Sequence, residues 1–320
     1  MPSSDSGRRD GWAEAPARGP LTRRLDAALA PLEADLHARL EPEHAEWLRE
    51  TTGRERADLM ISLALHYDLP GFAAATGLRR DDPPPDVHAM THGARGLGGS
   101  FEGADVIVDA LDQIGFVLEP GSLGLDFGCS SGRQVRLMAT WWPEVEWLAC
   151  DPNVPAVRWA EEHLGDLARF FVSEQRPPLA LADASVDLAY AISVWSHLNP
   201  PTAGLEWFAE MHRLLRPGGL LVLTSQSFGT AAFFSRRRLW AARDIDEAMA
   251  DLYRQGHHYR EIFGPGGDWG VESPDWGMAF VTAEWLLARL TPAWACRLWR
   301  SAWVGENQDL VVLERMPSRP

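Results

Sequence analysis

Short apolar runs alternate with longer helical patterns over the second half of the chain. Each run is rich in Val, Ile, Leu, Phe or Trp and is bounded by Gly, Pro, Asp or Ser. Runs of this kind are typical of buried strands. They predict five strands at 123–127, 145–150, 169–172, 186–192 and 220–224, and two closing strands at 293–300 and 309–314.

Amphipathic segments between these runs predict helices, for example at 155–164 and 204–215. The second ends at Arg216-Pro217-Gly218-Gly219, residues that stop a helix before a buried strand. Alternation of strand and helix favours a mostly parallel sheet with helices on both faces. The predicted fold class is therefore α/β with seven strands.

The first third of the chain has a different character. Residues 1–20 are rich in Ser, Gly, Pro and charge, which predicts a disordered tail. Residues 21–97 predict a helical N-terminal extension, either a lid over the substrate or a dimer surface. Residues 98–320 form the main domain. Within it, 226–280 interrupts the strand–helix rhythm after the fifth strand and predicts a cap on the substrate side.

Composition narrows the function. The chain has 320 residues, 46% apolar, and a formal net charge of −15, so it repels nucleic acid outside a local basic patch. The three cysteines have no CxxC spacing and no histidine cluster beside them. This pattern predicts neither a disulfide framework nor a metal site, and it favours a location in the reducing cytoplasm. No apolar run approaches the roughly 20 residues of a membrane span.

The turn Gly128-Cys129-Ser130-Ser131-Gly132 follows the first predicted strand and opens a helix. Such a turn lets backbone N–H groups approach a nucleotide-type ligand. It also fits an ordinary tight connection, and it is neither GxGxxG nor a GxxxxGK[ST] loop. The next strand ends at Asp151, a position from which a carboxylate reaches ribose hydroxyls. Asp151 also fits a helix N-cap, and the two roles are compatible.

From residue 98 to 314, these motifs resemble in order the class I S-adenosylmethionine (AdoMet)-dependent methyltransferases. LGLDFGCSSGR is similar to their first motif and WLACDPN to their ribose-binding strand. LALADASVDLAYAISVWSHL and MHRLLRPGGLLVLTSQ resemble the fourth-strand and fifth-strand segments, with Ser130 replacing a customary glycine. The resemblance implies a Rossmann-like sheet and AdoMet as cofactor.

Site residues follow from this resemblance by position. Asp126 would hold the methionine amino group directly or through water, and Asp151 would hold the ribose diol. Arg133 either pairs with the methionine carboxylate or is an exposed arginine. The implied cofactor-binding set is Ser100, Asp126, Gly128, Cys129, Ser130, Gly132, Asp151, Pro152, Ser173, Glu174 and Ser193.

Three histidines are candidate catalytic bases. His197 follows the strand end that lies nearest the expected methyl group, although a packing or capping histidine fits there equally. His257 and His258 belong to the cap segment, where at most one of two adjacent residues on a helix faces a given pocket. The tryptophans of that segment, Trp240, Trp269 and Trp276, suit a sugar face or a flat aromatic acceptor.

The leading hypothesis is methyl transfer to a small-molecule acceptor, and the expected reaction is an O-methylation in secondary-metabolite or glycan biosynthesis. Neither nucleic acid nor a membrane is an expected partner. A homodimer is compatible with the sequence. An NAD(P)-dependent oxidoreductase is an alternative, but it should show GxGxxG. A non-catalytic AdoMet-binding module is another, and it would bind the cofactor without turnover.

Overall fold

The computed structural model describes residues 19–78, 83–84, 87, 100–262 and 275–317. Residues 1–18 of the predicted tail, the boundary at 97/98 and Trp269 lie outside the described residues. Pro20, placed in the tail by the sequence, is already the first residue of a helix.

The predicted seven-stranded, mostly parallel sheet is confirmed. Its strands are β1 (Leu123–Phe127), β2 (Glu146–Asp151), β3 (Arg169–Val172), β4 (Val186–Ala191), β5 (Leu215–Ser225), β8 (Trp294–Val304) and β9 (Gln308–Arg315). Their order in the sheet is β3-β2-β1-β4-β5-β9-β8. The first five strands are parallel, and β9 runs antiparallel between β5 and β8.

Helices cover both faces of this sheet. Because β1 and β2 are buried on both faces, they read as near-continuous apolar runs rather than alternating ones. Chain order reverses direction across the sheet at β1, between β2 and β4, and ligands of such sheets bind at the carboxyl ends of these strands. The helices around the sheet are α6 (Ser100–Ile114), α7 (Arg133–Trp141), α8 (Val154–Leu164), α9 (Leu205–Leu214) and α12 (Ala283–Leu290).

The N-terminal helices share the core of one sheet face. Leu25 and Phe72 belong to the same buried apolar cluster as Phe101 and Val135. The N-terminal helices are α1 (Pro20–Leu29), α2 (Glu33–His37), α3 (Pro42–Glu50), α4 (Gly53–His66) and α5 (Phe72–Thr76). They are therefore packed as part of the main domain.

The segment after β5 forms a separate layer with its own small core. It consists of α10 (Phe228–Arg237), α11 (Ala242–Gln255), β6 (His257–Arg260) and β7 (Met278–Val281). β6 and β7 pair antiparallel, and Phe234, Leu252 and Phe280 are buried between these elements. Trp240 packs partly buried against this core. We call this layer the cap. In the part of the chain that the structure describes, no helix combines the length and apolarity needed to cross a membrane.

Candidate active site

The glycine turn after β1 adopts a left-handed backbone at three positions. Gly128, Ser130 and Gly132 have φ of 85°, 49° and 79°. A Cβ on Gly128 would clash with a methyl group of Val194, so the turn requires glycine there. Gly132 meets Leu164 and Phe170 instead, which makes it a packing position between turn, helix and strand. Ser130 reaches the same backbone region without being glycine.

Asp151 holds this turn in place. One carboxylate oxygen accepts a hydrogen bond from the N–H of Ser130 and the other from the N–H of Asn153, both at 2.8 Å. Burial raises the pKa of Asp151, and the two N–H donors oppose that rise. Asn153, rather than Asp151, is the N-cap of α8, through a 3.1 Å bond from Ala156 N–H.

Asp126 lies beneath the turn and is 2% exposed. Burial raises the pKa of its carboxyl to about 8, against the lowering effects of the Tyr190 hydroxyl and the Arg133 guanidinium. The residues that line the cavity described below include Arg133 but neither Asp126 nor Gly132. The contact of Asp126 with the methionine amino group, directly or through water, and the role of Gly132 in lining the ligand therefore stay predictions.

A cavity of about 460 Å³ opens at the carboxyl ends of β1, β2 and β4. This volume suits a small-molecule or cofactor site. Arg133 lines it together with eight residues of the predicted cofactor-binding set: Gly128, Cys129, Ser130, Asp151, Pro152, Ser173, Glu174 and Ser193. The side chain of Ser100 lies outside the described part, but Glu102 and Gly103 of the same helix α6 line the wall.

Several buried polar atoms on this wall have no hydrogen-bond partner among the described residues. They are Ser130 Oγ, Ser173 Oγ, Arg133 Nη1 and Gln134 Oε1. Buried polar groups are normally satisfied, so such a set is expected where a polar ligand binds. The donors and acceptors fit an amino-acid and nucleoside ligand, and Asp151 lies on the same wall.

His197 belongs to the same cavity. Its Nδ1 is 2.7 Å from the carbonyl oxygen of Gly277, and its ring lies 4.9 Å from that of Trp276 between centroids. A carbonyl can only accept, so Nδ1 carries the proton and neutral His197 has its lone pair at Nε2. Ser193 has φ of 61° and donates its hydroxyl to Gln308 Oε1 at 3.2 Å.

The structure does not bring His257 and His258 to the cavity. They lie on strand β6 rather than on a helix, and consecutive strand residues point to opposite faces. His258 is buried in the cap and its Nδ1 lies 2.8 Å from Asp251 Oδ2. The His257 ring packs against Trp285, 4.9 Å away between centroids. Neither histidine is part of the wall.

Trp276, which the sequence placed in an acceptor-binding cap, lines the cavity from that side. Sequence reasoning missed Gly305, Asn307 and Gln308, which line it from the β8–β9 hairpin. Glu102 of α6 joins this hairpin, with its carboxylate accepting the Gly305 N–H at 3.1 Å. The residues in these contacts are far apart in the sequence, so no local sequence pattern predicts them.

Comparison with known proteins agrees with this geometry. Residues 125–223 match the model of a methyltransferase domain family. A malonyl-[acyl-carrier protein] O-methyltransferase of Hahella chejuensis is 29% identical over 120 residues, covering 38% of this chain and 41% of that protein. An uncharacterized 37.1 kDa protein in transposon TN4556 of Streptomyces fradiae is 28% identical over 203 residues, covering 58% and 53%. The chain thus spans about half or less of these relatives.

A solved SAM-dependent methyltransferase from Methanosarcina mazei is 19% identical, with a TM-score of 0.47, and the match covers 67% of this chain and 98% of that one. The sheet order, the glycine turn, Asp151 and the family match together define a class I AdoMet-dependent methyltransferase domain. S-adenosylmethionine is the cofactor of that domain.

Proposed function

We propose that this protein transfers the methyl group of AdoMet to an oxygen atom of a small molecule in the cytoplasm. One observation carries the proposal: the cofactor turn, Asp151 and a histidine of fixed tautomer line a single cavity. The three cysteines are free thiols, in keeping with a reducing compartment.

The cofactor, when bound, supplies a methyl group already activated by a positively charged sulfur. Asp151 accepts hydrogen bonds from the ribose, and Ser173 or Glu174 contacts the adenine. Arg133 pairs with the methionine carboxylate, and its partially unsatisfied guanidinium supports that role. The main contribution of the chain is alignment and exclusion of water, which supplies a large share of the rate.

His197 is the proposed general base. Nδ1–H is committed to the Gly277 carbonyl, so the nitrogen that can take a proton from an acceptor hydroxyl is Nε2. A well-placed base of this kind contributes about 10²–10⁴-fold to a rate. Ser193, which follows β4, borders the position of methyl transfer.

The aromatic part of the cavity wall favours an acceptor molecule that contains a ring. Trp276 and Trp207 line the cavity, and the indole N–H of Trp276 is buried without a partner among the described residues. Aromatic walls with a polar handle suit a sugar face or a flat aromatic acceptor. The net charge of −15 disfavours nucleic acid.

A carrier-bound carboxylate is the second candidate acceptor. The Hahella relative is named for the O-methylation of a malonyl group on acyl-carrier protein. A carboxylate is already deprotonated and needs no base. His197→Gln therefore separates the candidates, because it slows methylation of a hydroxyl and leaves methylation of a carboxylate nearly unchanged.

Thermal-shift titration with AdoMet, S-adenosylhomocysteine, NAD and NADP tests the cofactor assignment. A ligand at 100 times its Kd stabilises the folded state by about 2.7 kcal/mol. Both adenosyl ligands should stabilise the wild type, and Asp151→Ala should abolish the shift, since the ribose acceptor and the Ser130 contact are lost. Glu162→Gln, an exposed carboxyl on α8, is the matched control and should bind normally.

A shift with the nicotinamide ligands alone would replace the proposal with an oxidoreductase. Binding of AdoMet without methyl transfer to any compound in a panel of phenols, sugars and carrier-bound acids would point to a non-catalytic binding module.

A further inference from the structure

The tautomer of His197 is set by a residue from a distant part of the chain. Gly277 lies 80 positions after His197, in the segment that leads into β7. Two backbone bonds also join the segments: Gly277 N–H to His197 O at 2.8 Å, and Ala279 N–H to Ser196 O at 2.9 Å. Leu198 and Trp276 form an isolated antiparallel bridge beside them. The cap segment thus lies as an extra short strand along residues 196–199.

Asp275 fixes the start of this cap segment. Its Oδ1 accepts hydrogen bonds from Asn199 Nδ2 at 3.1 Å and from Thr202 Oγ1 at 2.8 Å. Its Oδ2 pairs with the guanidinium of Arg176, and its backbone carbonyl accepts the Asn199 N–H at 2.9 Å. The Asp275 side chain is only 12% exposed.

These partners come from two different loops of the cavity. Arg176 follows Ser173, Glu174 and Gln175, which line the wall after β3. Asn199 and Thr202 follow His197 in the loop after β4. One carboxylate therefore ties the cap to both loops, and the next two residues, Trp276 and Gly277, are the ones that contact the His197 ring.

Gly277 has little room to adjust on its own. A Cβ at this position would clash with the Arg260 carbonyl oxygen and would lie 3.0 Å from the Tyr259 ring. The carbonyl that accepts the hydrogen bond from His197 Nδ1–H is consequently held between β6 on one side and the anchored Asp275 on the other.

We propose that Asp275 is a positioning residue that, through the Gly277 carbonyl, keeps His197 in the tautomer with its lone pair at Nε2. The inference rests on the proposed function, in which His197 is the base. In this proposal Asp275 acts on the ring through the Gly277 carbonyl. A histidine held in the wrong tautomer cannot accept a proton at Nε2, whatever its distance from the acceptor.

The test is nitrogen NMR of the full chain labelled with ¹⁵N-histidine, with and without S-adenosylhomocysteine, and with His197→Gln to assign the signals. In the wild type, His197 should show a protonated Nδ1 and an unprotonated Nε2. Asp275→Ala should move the Nε2 signal toward that of a protonated nitrogen. Asp275→Asn, which retains an oxygen acceptor for Asn199 and Thr202, should restore most of the wild-type pattern.

Glu314→Gln is the control, since Glu314 forms a comparable arginine pair with Arg297 away from the cavity. It should leave the signals of His197 unchanged. If Asp275→Ala does not fold, Arg176→Gln replaces it, because Arg176 is half-exposed and its loss should give a smaller shift in the same direction.

An unchanged tautomer in a folded Asp275→Ala, or in Arg176→Gln where the alanine variant does not fold, would overturn the inference, and so would a wild type that carries its proton at Nε2. Failure of the wild type to bind S-adenosylhomocysteine would overturn the proposed function instead. The two failures are distinguishable because the tautomer is read from the protein alone.

Discussion

The environment of Asp126 disfavours ionisation of its carboxyl group and raises its pKa. It sits beneath the glycine turn, 2% exposed, and burial outweighs the lowering effects of Tyr190 and Arg133 on its pKa. Asp151, the other acid of the turn, adds a like charge that raises the same pKa further. The two carboxyl groups thus differ in position: Asp151 lines the cavity, and Asp126 is buried behind its wall.

This arrangement predicts a pH-dependent effect of Asp126→Asn. The folded-state pKa of about 8 lies above the unfolded value near 3.8, so the folded state keeps a proton that the unfolded chain releases. Wild-type stability from this group is therefore present below about pH 4 and is lost as pH rises toward 8. The asparagine variant has no such loss.

We expect the unfolding free energy of Asp126→Asn, relative to the wild type, to increase between pH 5 and pH 8. The slope should not exceed about 1.4 kcal/mol per pH unit. Urea denaturation at several pH values measures it, and the other carboxyls cancel in the comparison. A difference that stays constant with pH would show that Asp126 ionises normally.

Helix α1 depends on a carboxylate from another helix for its N-terminus. Asp105 of α6, buried at 2% exposure, accepts the N–H of Gly19 at 3.1 Å and the N–H of Thr22 at 3.0 Å. It also accepts the Thr22 hydroxyl. The first residues of a helix have unsatisfied N–H groups, which a local side chain usually caps; here the cap comes 83 residues later.

Asp105→Ala should therefore lower the unfolding free energy by about 2 kcal/mol or more, since it removes a cap and leaves buried donors unsatisfied. Chemical denaturation measures the loss. Asp109→Ala on the same helix is the control and should cost much less, because the Asp109 carboxylate accepts a local hydrogen bond from Gln113 at 2.7 Å. If the two variants lose the same unfolding free energy, the effect comes from the change in helix propensity and not from the loss of the cap.

At the scale of the whole molecule, the N-terminal helices and the sheet are one packed body. Leu21, Leu36 and Ile61 are fully buried in the cluster that also contains Ile107 and Val135. No residue from 19–78 lines the cavity. The structure thus gives the helices of this described range a core role, and a lid or dimer role for the extension 21–97 stays a prediction.

Deleting residues 1–90 should consequently expose one sheet face and remove stabilisation by S-adenosylhomocysteine along with the thermal transition. Phe72→Ala disturbs the same helices less than the deletion does. It should lower the unfolding free energy by about 3–5 kcal/mol and keep a single cooperative transition, because Phe72 is fully buried. Ala74→Ser, exposed on the same helix, is its control. A truncated chain that folds and binds the ligand normally would restore a lid or dimer role for the extension.

Most of the fold was determined by local pattern. Buried strands need apolar runs and their turns need glycine, so 123–127 and 169–172 were predicted with the observed bounds. The turn at Gly128 and the acid at Asp151 were readable because a parallel sheet places consecutive strand ends side by side. The periodicity also predicted a cap after β5, although β6 and β7 within it were not foreseen.

Only the tertiary structure decided which residues meet at the cavity. It placed His197 there and left His257 and His258 in the cap, because a four-residue strand has too few positions for a sequence period to show. It set Asp126 under the wall rather than on it. It also brought Asp275, Trp276 and the 305–308 hairpin to the site from far along the chain. Sequence patterns record which residues become buried; which distant segments share one space depends on how the helices and loops pack around the sheet.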